Sequence, residues 1–330
     1  MTSNQDPAVT QAEASVPVSN TFQSDVIEGL KHNPKKLSSK YFYDKNGDGL
    51  FQSIMIMPEY YLTRCELEIF SSNTSVLTSM ITQGGAAFDL IELGAGDAMK
   101  SIYLLRDLVK QKADFTYMPI DISGNILCEL DRKLNNEIPE LETICLEGEY
   151  FEMLDRASSL SNRRKVVMFL GSNIGNMEIE EAYSFCRELN KKLNPGDLLL
   201  IGFDLKKNPH TILDAYNDKT GLTAAFNLNL LSRINRELGS DFKLDRFRHY
   251  QTYDPISGAC RSYLVSLVNQ YVMIGNETIH FAENEAVKME VSQKFSKVEV
   301  EQLAQNSGFD SVGEISDSKG WFVDTLWKRK

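Results

Sequence analysis

Apolar runs and helical segments alternate regularly between residue 65 and about residue 206. Five short, nearly continuous apolar runs predict buried strands: FDLIELGAG, FTYMPIDIS, LETICLEGEY, RKVVMFLGSNIGN and PGDLLLIGFDL. Segments with apolar residues at helical spacing lie between them, among them SIYLLRDLVKQ, GNILCELDRKLNNEI and EEAYSFCRELNKKL. This alternation predicts an α/β fold, with a parallel sheet that carries helices on both faces and binds ligands beyond the carboxyl ends of its strands.

The pattern changes after about residue 207. A mostly helical stretch precedes RHYQTYDPISGACRSYLVSLVNQYVMIGNETIHF, which is typical of antiparallel strands joined by turns. The chain ends with a helix, KVEVEQLAQNSGF, and two strands on either side of Ser316 to Gly320. We therefore predict one domain of residues 65–206 plus 294–330, and a smaller α+β domain of residues 22–64 plus 207–293. Residues 1–21 are polar, and we expect them to form a disordered arm.

The acidic segment DKNGDG, which begins at Asp44, does not fit a calcium-binding loop. An EF-hand loop needs an acidic residue at its twelfth position, and that position is Met55 in this chain. The residues from Asn46 to Gly49 are all common in turns. We therefore expect an ordinary loop here, followed by a helix that begins near Gly49.

Composition excludes several classes of protein. The chain has 330 residues, with 35 basic and 46 acidic side chains, a net charge of −11 and 42% hydrophobic residues. These values exclude a wholly disordered chain and a disulfide-stapled miniprotein, and they disfavour a nucleic-acid binder. The sequence shows neither a long apolar span nor a secretory signal, so we expect a cytoplasmic protein that binds no membrane.

The cysteines are widely spaced, and no Cys/His cluster suits a metal ion. We therefore expect no metal, and thiols that stay reduced in their compartment. The five are Cys65, Cys128, Cys145, Cys186 and Cys260.

The first predicted strand ends in the glycine loop ELGAG, which contains Gly94 and Gly96. Glycines at this point let the backbone approach a ligand at the start of the next helix. The dinucleotide fingerprint needs a third glycine where this chain has Met99, so NAD is disfavoured.

The second predicted strand ends in Asp121, which is placed to bind the two ribose hydroxyls of an adenosine. Glu149 and Tyr150 follow the third predicted strand and are placed to face the adenine. Together these signals favour S-adenosylmethionine as the cofactor. The alternative is that the glycines only form a turn and that Asp121 only caps a helix.

Seven segments, in order along the chain, carry a family resemblance: KYFYDKNGDGLFQSI, MPEYYLTRCELEI, IELGAGDAMK, PIDIS, GSNIGN, TAAFNLNLLSRINRELGSDF and MEVSQKF. From about residue 38 onward the chain resembles the L-histidine Nα-methyltransferases of ergothioneine biosynthesis. The resemblance implies a Rossmann-like class I methyltransferase fold with an inserted substrate-binding domain. It also implies up to three methyl transfers from S-adenosylmethionine to the α-amine of histidine, which yield hercynine. We expect a monomer.

The resemblance also assigns roles to residues. Lys100 would reach the cofactor carboxylate, and Glu149-Tyr150 stands where the family commonly has Asp-Phe. The residues implied for the cofactor are Tyr43, Gly94, Gly96, Lys100, Asp121, Glu149 and Tyr150.

On the substrate side, Asn176 and Tyr216 would hold the amino-acid carboxylate, and Glu290 and Ser292 would bind the imidazole nitrogens. A carboxylate and a hydroxyl suit an N–H donor and a ring acceptor. The implied catalytic residues are Tyr43 and Asn176. The implied substrate residues are Tyr60, Gly171, Asn176, Tyr216, Ser262, Glu290 and Ser292.

Ser262 departs from the family, which usually has a methionine beside the imidazole. The smaller residue enlarges the pocket and leaves open another aromatic amino acid, such as tryptophan, or a related small amine. A non-catalytic protein that binds the cofactor is a further alternative. By position alone, Asn176 could cap a helix, and Glu290 could be a solvated charge.

Overall fold

A computed structural model describes residues 18–330, and the chain there builds a seven-stranded sheet flanked by helices. The predicted arm of residues 1–21 lies mostly outside the described residues, and the first described helix begins at Val18. The helices are α1 (Val18–Lys31), α2 (Lys45–Met55), α3 (Leu62–Ser72), α4 (Thr74–Thr82), α5 (Ser101–Lys110), α6 (Gly124–Glu137), α7 (Tyr150–Leu160), α8 (Ile179–Lys192), α9 (Pro209–Tyr216), α10 (Leu222–Leu238) and α11 (Lys297–Asn306).

The strands follow the predicted succession, both in the alternating region and at the end of the chain. They are β1 (Phe88–Leu93), β2 (Phe115–Asp121), β3 (Leu146–Glu147), β4 (Arg164–Phe169), β5 (Leu198–Asp204), β6 (Phe247–Tyr253), β7 (Ala259–Ser266), β8 (Gln270–Ile274), β9 (Glu277–Phe281), β10 (Ala286–Gln293), β11 (Phe309–Ser316) and β12 (Phe322–Arg329).

The large sheet has the strand order β11-β12-β5-β4-β1-β2-β3. Strands β1 to β5 pair in parallel, and β12 pairs antiparallel with both β5 and β11. Every residue of β1 is buried, as expected for a strand covered on both faces. This is a Rossmann-like fold, as predicted.

The two faces of the sheet carry separate cores. Leu90 of β1 packs with α3, α4, α5 and α6, whereas the next residue, Ile91, packs with α7, α8 and α11. This division follows from the alternation of side chains along a strand. Buried apolar side chains on both faces therefore fix the strands whose carboxyl ends form the site described below.

Two local predictions differ from the structure. Helix α2 begins at Lys45, so the prediction of a loop before a helix near Gly49 was wrong. Asp44 is the reason: its Oδ1 accepts a hydrogen bond of 2.7 Å from the Gly47 N–H and satisfies a donor in the first turn. The third strand is only two residues long, because residues on either side of Cys145 bond to β2 separately.

The chain forms two compact units. The first comprises the residues up to Asp48, Ala225–His249 and Tyr263–Met289, and the second comprises Gly49–Ala224, Tyr250–Ser262 and Glu290–Lys330. The first unit contains α1 and the antiparallel β8–β9 hairpin. The second contains the seven-stranded sheet. The domain boundaries predicted from the sequence stay a prediction.

Candidate active site

The strand order reverses between β1 and β4, which are neighbours in the sheet although two strands separate them in sequence. Ligands of open parallel sheets bind beyond the carboxyl ends of the strands at such a point. Gly94 follows β1 with a φ of 71°, and Gly171 follows β4 with a φ of 75°. Both residues lie in the left-handed region that favours glycine, so the chain turns away from the sheet edge at both points.

Gly94 is also required by close packing. A Cβ at this position would lie 2.9 Å from the Oη of Tyr150, the first residue of α7. The Tyr150 ring packs edge-on against Phe169 at the end of β4, with the ring centroids 5.8 Å apart. Burial, with the nearby charge of Asp121, raises the pKa of Tyr150 to about 12, so the phenol stays neutral and can donate a hydrogen bond.

Asp121 connects the ends of β1 and β2. Its Oδ2 accepts a hydrogen bond of 3.2 Å from the Gly96 N–H, and its Oδ1 accepts one of 3.0 Å from the Ser123 N–H. The N-cap of α6 is Ser123, so the alternative that Asp121 caps this helix is wrong. Each carboxylate oxygen keeps a further lone pair, which suits a pair of ribose hydroxyls.

Lys100 lies beside Gly171. Its Nζ is 3.4 Å from the position of a Cβ on Gly171, and it forms an ion pair with the fully buried Glu66. Both carboxylate oxygens of Glu66 also accept hydrogen bonds from the Gly171 N–H, at 2.8 and 2.9 Å. Glu66 therefore fixes both the lysine and the glycine loop after β4.

Direct contacts thus connect Gly94 with Tyr150 and Gly96 with Asp121. Glu149 is exposed and precedes α7 as its N-cap. Five of the predicted cofactor residues therefore lie at the ends of β1 and β2 or at the start of α7, and Lys100 lies beside the loop after β4.

On the substrate side, three polar groups form a buried cluster. The Tyr216 hydroxyl and Ser292 Oγ are 2.7 Å apart, and Lys294 Nζ donates to each of them at 2.7 Å. Lys294 is fully buried, and its ammonium lies 2.7 Å from Asp204 Oδ2. A buried ammonium needs such a set of acceptors, so the four side chains hold one another in fixed positions.

Asp204, at the end of β5, is the centre of this network. It also accepts a hydrogen bond of 2.8 Å from the Tyr61 hydroxyl and forms an ion pair with Lys207. The buried carboxylate of Asp204 therefore faces two ammonium groups, those of Lys207 and Lys294.

Glu290 is half-buried on β10, so the alternative of a fully solvated charge was wrong. Burial raises its pKa to about 7, and the charge of Lys294 opposes that rise. The charge of Glu290 interacts electrostatically with the Tyr60 hydroxyl. The Tyr60 ring packs edge-on against the ring of Tyr216, with the centroids 5.9 Å apart. The structure therefore brings Tyr60, Tyr216, Glu290 and Ser292 together.

Asn176 ends a short 3-10 turn, Asn173–Asn176, and its side chain is exposed. The N-cap of α8 is Glu178, which forms a capping box with Glu181, so the alternative that Asn176 caps this helix was wrong. The turn packs close to the end of β10, because a Cβ at Gly175 would lie 2.8 Å from the backbone oxygen of Gln293.

Ser262 is buried on β7. Tyr43 belongs to the first unit, where it is 42% exposed and its ring packs edge-on against Phe226 with the centroids 5.7 Å apart. The roles predicted for these two residues stay predictions.

Glu66, Asp204 and Lys294 were not among the residues predicted from the sequence. Lys294 could have been found, because side chains two residues apart share one face of a strand. MEVSQKF therefore places Glu290, Ser292 and Lys294 in one row. Glu66 and Asp204 carry no comparable signal.

Among residues 18–330, no group of histidine, cysteine and acidic side chains suits a metal ion. The five cysteines are free thiols. No helix in the same range is long and apolar enough to cross a membrane.

A Rossmann-like sheet with a glycine-lined switch point and an acidic residue at the end of β2 is typical of S-adenosylmethionine-dependent methyltransferases. The family model described as "Histidine-specific methyltransferase, SAM-dependent" matches residues 22–329. The chain belongs to this family. It is therefore an enzyme that uses S-adenosylmethionine and acts on a small amino-acid substrate.

Three relatives show the range of the family. A histidine N-alpha-methyltransferase from Mycolicibacterium smegmatis is 33% identical over 91% of this chain and 92% of that protein. Ergothioneine biosynthesis protein 1 from Neurospora crassa is 31% identical over 91% of this chain, which spans 34% of that protein. The 4-dimethylallyltryptophan N-methyltransferase easF from Aspergillus fumigatus is 24% identical over 89% of each chain.

The similarity to solved structures is distant. An S-adenosylmethionine-dependent methyltransferase from Clostridium acetobutylicum aligns with a TM-score of 0.42 and 10% identity, over 80% of this chain and 91% of that chain.

Proposed function

We propose that the protein methylates the α-amine of L-histidine, up to the trimethylated product hercynine. The observation that carries this proposal is the cluster of Tyr216, Ser292 and Lys294 beside Glu290. It offers a carboxylate and a hydroxyl two residues apart on β10, and neutral imidazole has one N–H donor and one nitrogen acceptor to match them. The family match and the histidine N-alpha-methyltransferase relatives support the same substrate.

The residues at the switch point fit S-adenosylmethionine. Gly94 has no side chain, and a Cβ there would lie only 2.9 Å from the Tyr150 hydroxyl. Asp121 has lone pairs for the ribose hydroxyls, and Tyr150 offers a neutral phenol. Lys100 would hold the carboxylate of the cofactor. When bound, this cofactor supplies a methyl group already activated by its sulfonium.

The chain's own residues then have to orient the amine. Asn176 and Tyr216 would hold the substrate carboxylate, while Glu290 and Ser292 would fix the imidazole. Anchoring both ends of the amino acid fixes the position of its nitrogen, and such orientation contributes substantially to the rate of a two-substrate reaction.

The amine must be neutral when it attacks, so its proton leaves first, to water. Gly171 would offer its backbone close to the amine. The face of Tyr60 would stabilise the positive charge that grows on nitrogen, by about 0.5–2 kcal/mol for a cation–π contact. This contact would also retain the partly methylated intermediates for the next transfer.

Mass spectrometry of a mixture of free amino acids, incubated with the enzyme and S-adenosylmethionine, tests the substrate directly. We expect histidine to gain up to three methyl groups. Glu290→Ala should weaken histidine binding strongly and leave cofactor binding nearly unchanged. Equal loss of both affinities, or methylation of another amino acid in preference to histidine, would contradict the proposal.

Ser262 favours a second candidate, a bulkier aromatic amino acid such as tryptophan, and the 4-dimethylallyltryptophan N-methyltransferase among the relatives agrees with this alternative. Ser262→Met should fill the pocket next to the ring. We expect the variant to lower the KM for histidine and to raise the KM for any larger substrate. An unchanged ratio of the two constants would show that residue 262 does not set the substrate.

We further propose that the enzyme acts as a cytoplasmic monomer in ergothioneine biosynthesis. The free thiols support a reducing compartment, and the relatives named for ergothioneine biosynthesis support the pathway. Light scattering during size-exclusion chromatography measures the oligomeric state.

A further inference from the structure

Asp324 of β12 is the most unusual side chain near the candidate cofactor site. It is 1% exposed, and neither of its carboxylate oxygens has a hydrogen-bond partner among the described residues. It faces Gly202 across the β5–β12 pair, where a Cβ on the glycine would lie 2.9 Å from Asp324 Oδ1 and would also collide with Glu66. The two carboxyl groups are therefore neighbours in a space that only glycine leaves open.

The bonding of Glu66 is different from that of Asp324. Glu66 accepts the Gly171 N–H with both oxygens and forms an ion pair with Lys100. Two acidic groups thus face one cation. Both Gly171 and Lys100 depend on the orientation of Glu66, so any change in that side chain changes the loop after β4 as well.

Two adjacent carboxyl groups in a buried site do not both ionise, because each charge is desolvated and repels the other. A single proton resolves the conflict. Asp324 has no other bond to make, so it can keep the proton and donate it to Glu66. Burial and the charge of Glu66 raise the pKa of Asp324 well above its usual range, which agrees with this arrangement.

We propose that Glu66 and Asp324 share one proton, and that this proton keeps the Lys100 site electrically balanced for the carboxylate of S-adenosylmethionine. Asp324 is therefore a positioning residue that acts through Glu66 and Lys100. Loss of the proton places a second negative charge next to Lys100, where it repels the cofactor carboxylate. The inference rests on the proposed role of Lys100 in cofactor binding.

Other titratable groups face the same site. Glu92 of β1 accepts a hydrogen bond of 2.6 Å from the Tyr117 hydroxyl of β2, and it interacts electrostatically with Lys100 and Glu66. Burial, opposed by Tyr117 and Ser101, raises the pKa of Glu92 to about 7. Glu92 has therefore lost most of its proton by about pH 8. Above that pH its charge changes little, so Glu92 provides a matched control.

The experiment is calorimetric titration of the folded enzyme with S-adenosylhomocysteine at about pH 8, where Glu92 is already ionised, and at the higher pH at which the infrared band of the protonated carboxyl group described below is lost. Asp324→Asn keeps the shape and a hydrogen-bond donor but cannot ionise. The wild type should bind about tenfold or more weakly at the higher pH, because a unit charge is added beside Lys100. Asp324→Asn should match the wild type at the lower pH and lose most of that decline.

Glu92→Gln is the control, and it should retain the decline at high pH. If Asp324→Asn follows the wild type at both pH values, the inference is overturned. Weak binding by Asp324→Asn at both pH values, with an intact circular dichroism spectrum, would also overturn it, because Asp324 would then be needed in its charged form.

A second measurement uses only the infrared spectrum. The infrared spectrum of the wild type at about pH 8, minus that of Asp324→Asn, should show the C=O stretch of a protonated carboxyl group. The absence of this band would contradict the shared proton. Histidine methylation is measured separately. If Asp324→Asn loses the decline in cofactor affinity but the enzyme does not methylate histidine, the proposed function alone is refuted. If the enzyme methylates histidine but Asp324→Asn declines like the wild type, this inference alone is refuted.

Discussion

Glu290→Gln tests whether the candidate substrate pocket is built at the expense of stability. Burial raises the pKa of Glu290 from its ordinary value of 4.5 to about 7. The folded protein therefore holds this proton more tightly than the unfolded chain does. Between pH 4.5 and 7 the unfolded chain has lost the proton while the folded protein retains it, so the free energy of unfolding falls as the pH rises.

Above pH 7 that loss is complete and amounts to about 3 kcal/mol, since each pKa unit corresponds to about 1.4 kcal/mol. Glutamine has nearly the same shape and no charge to desolvate. Glu290→Gln should therefore be more stable than the wild type by up to about 3 kcal/mol at pH 8 and by less than about 1 kcal/mol at pH 5. The same variant should bind histidine about tenfold or more weakly, because hydrogen bonds to charged groups are the stronger ones.

Urea unfolding at the two pH values measures the stability difference, and calorimetry measures the affinity for histidine. Glu92→Gln is a matched control, because the pKa of Glu92 is also raised to about 7 and the residue lies on β1 and is not among those proposed to bind histidine. It should gain stability at pH 8 and keep histidine binding. A stability change in Glu290→Gln that is equal at both pH values would refute the reasoning.

Two further outcomes follow from the same geometry. Lys294→Met should raise the KM for histidine about tenfold or more with little change in cofactor affinity. The charge of Lys294 lowers the pKa of Glu290, so the variant should also shift the acid limb of the plot of KM against pH to higher pH. An acid limb at the same pH as in the wild type would contradict this role. Gly94→Ala should abolish most cofactor binding, because its Cβ would lie 2.9 Å from the Tyr150 hydroxyl at a φ of 71°. Gly84→Ala, at an open position with a φ of 95°, controls for backbone strain, and equal cofactor affinities in the two variants would contradict the steric explanation.

The sheet and its glycine loop were predictable because their signals are local. A largely apolar run such as FDLIEL is typical of a strand that is buried on both faces, and Gly94 marks the turn that follows it. The start of α2 was mispredicted for an equally local reason, since Asp44 caps residues that otherwise favour a turn. The hydrogen bond from the Gly47 N–H to the Asp44 side chain therefore outweighed the preference of the four residues Asn46 to Gly49 for a turn.

The buried charges were not predictable in the same way. In a sequence, Glu66, Asp204 and Asp324 are ordinary acidic residues, which are usually solvated. Each is buried beside charged groups from a distant part of the chain, Glu66 beside Lys100, Asp204 beside Lys294 and Asp324 beside Glu66. Single-sequence patterns carry no information about such neighbours. Only Lys294 was predictable from the sequence, because a spacing of two residues places it on the same strand face as Ser292 and Glu290.

The network around Asp204 has a consequence for how the enzyme folds. Tyr61 lies 143 residues from Asp204 along the chain, and Tyr216 lies 78 residues from Lys294. Contacts of such sequence separation form late, after the loops between them have closed. An isolated Lys294 or Asp204 would remain in water until its partners arrive, so the last step that excludes water from the core also assembles the pocket. We expect folding intermediates to lack histidine affinity altogether, rather than to bind histidine weakly.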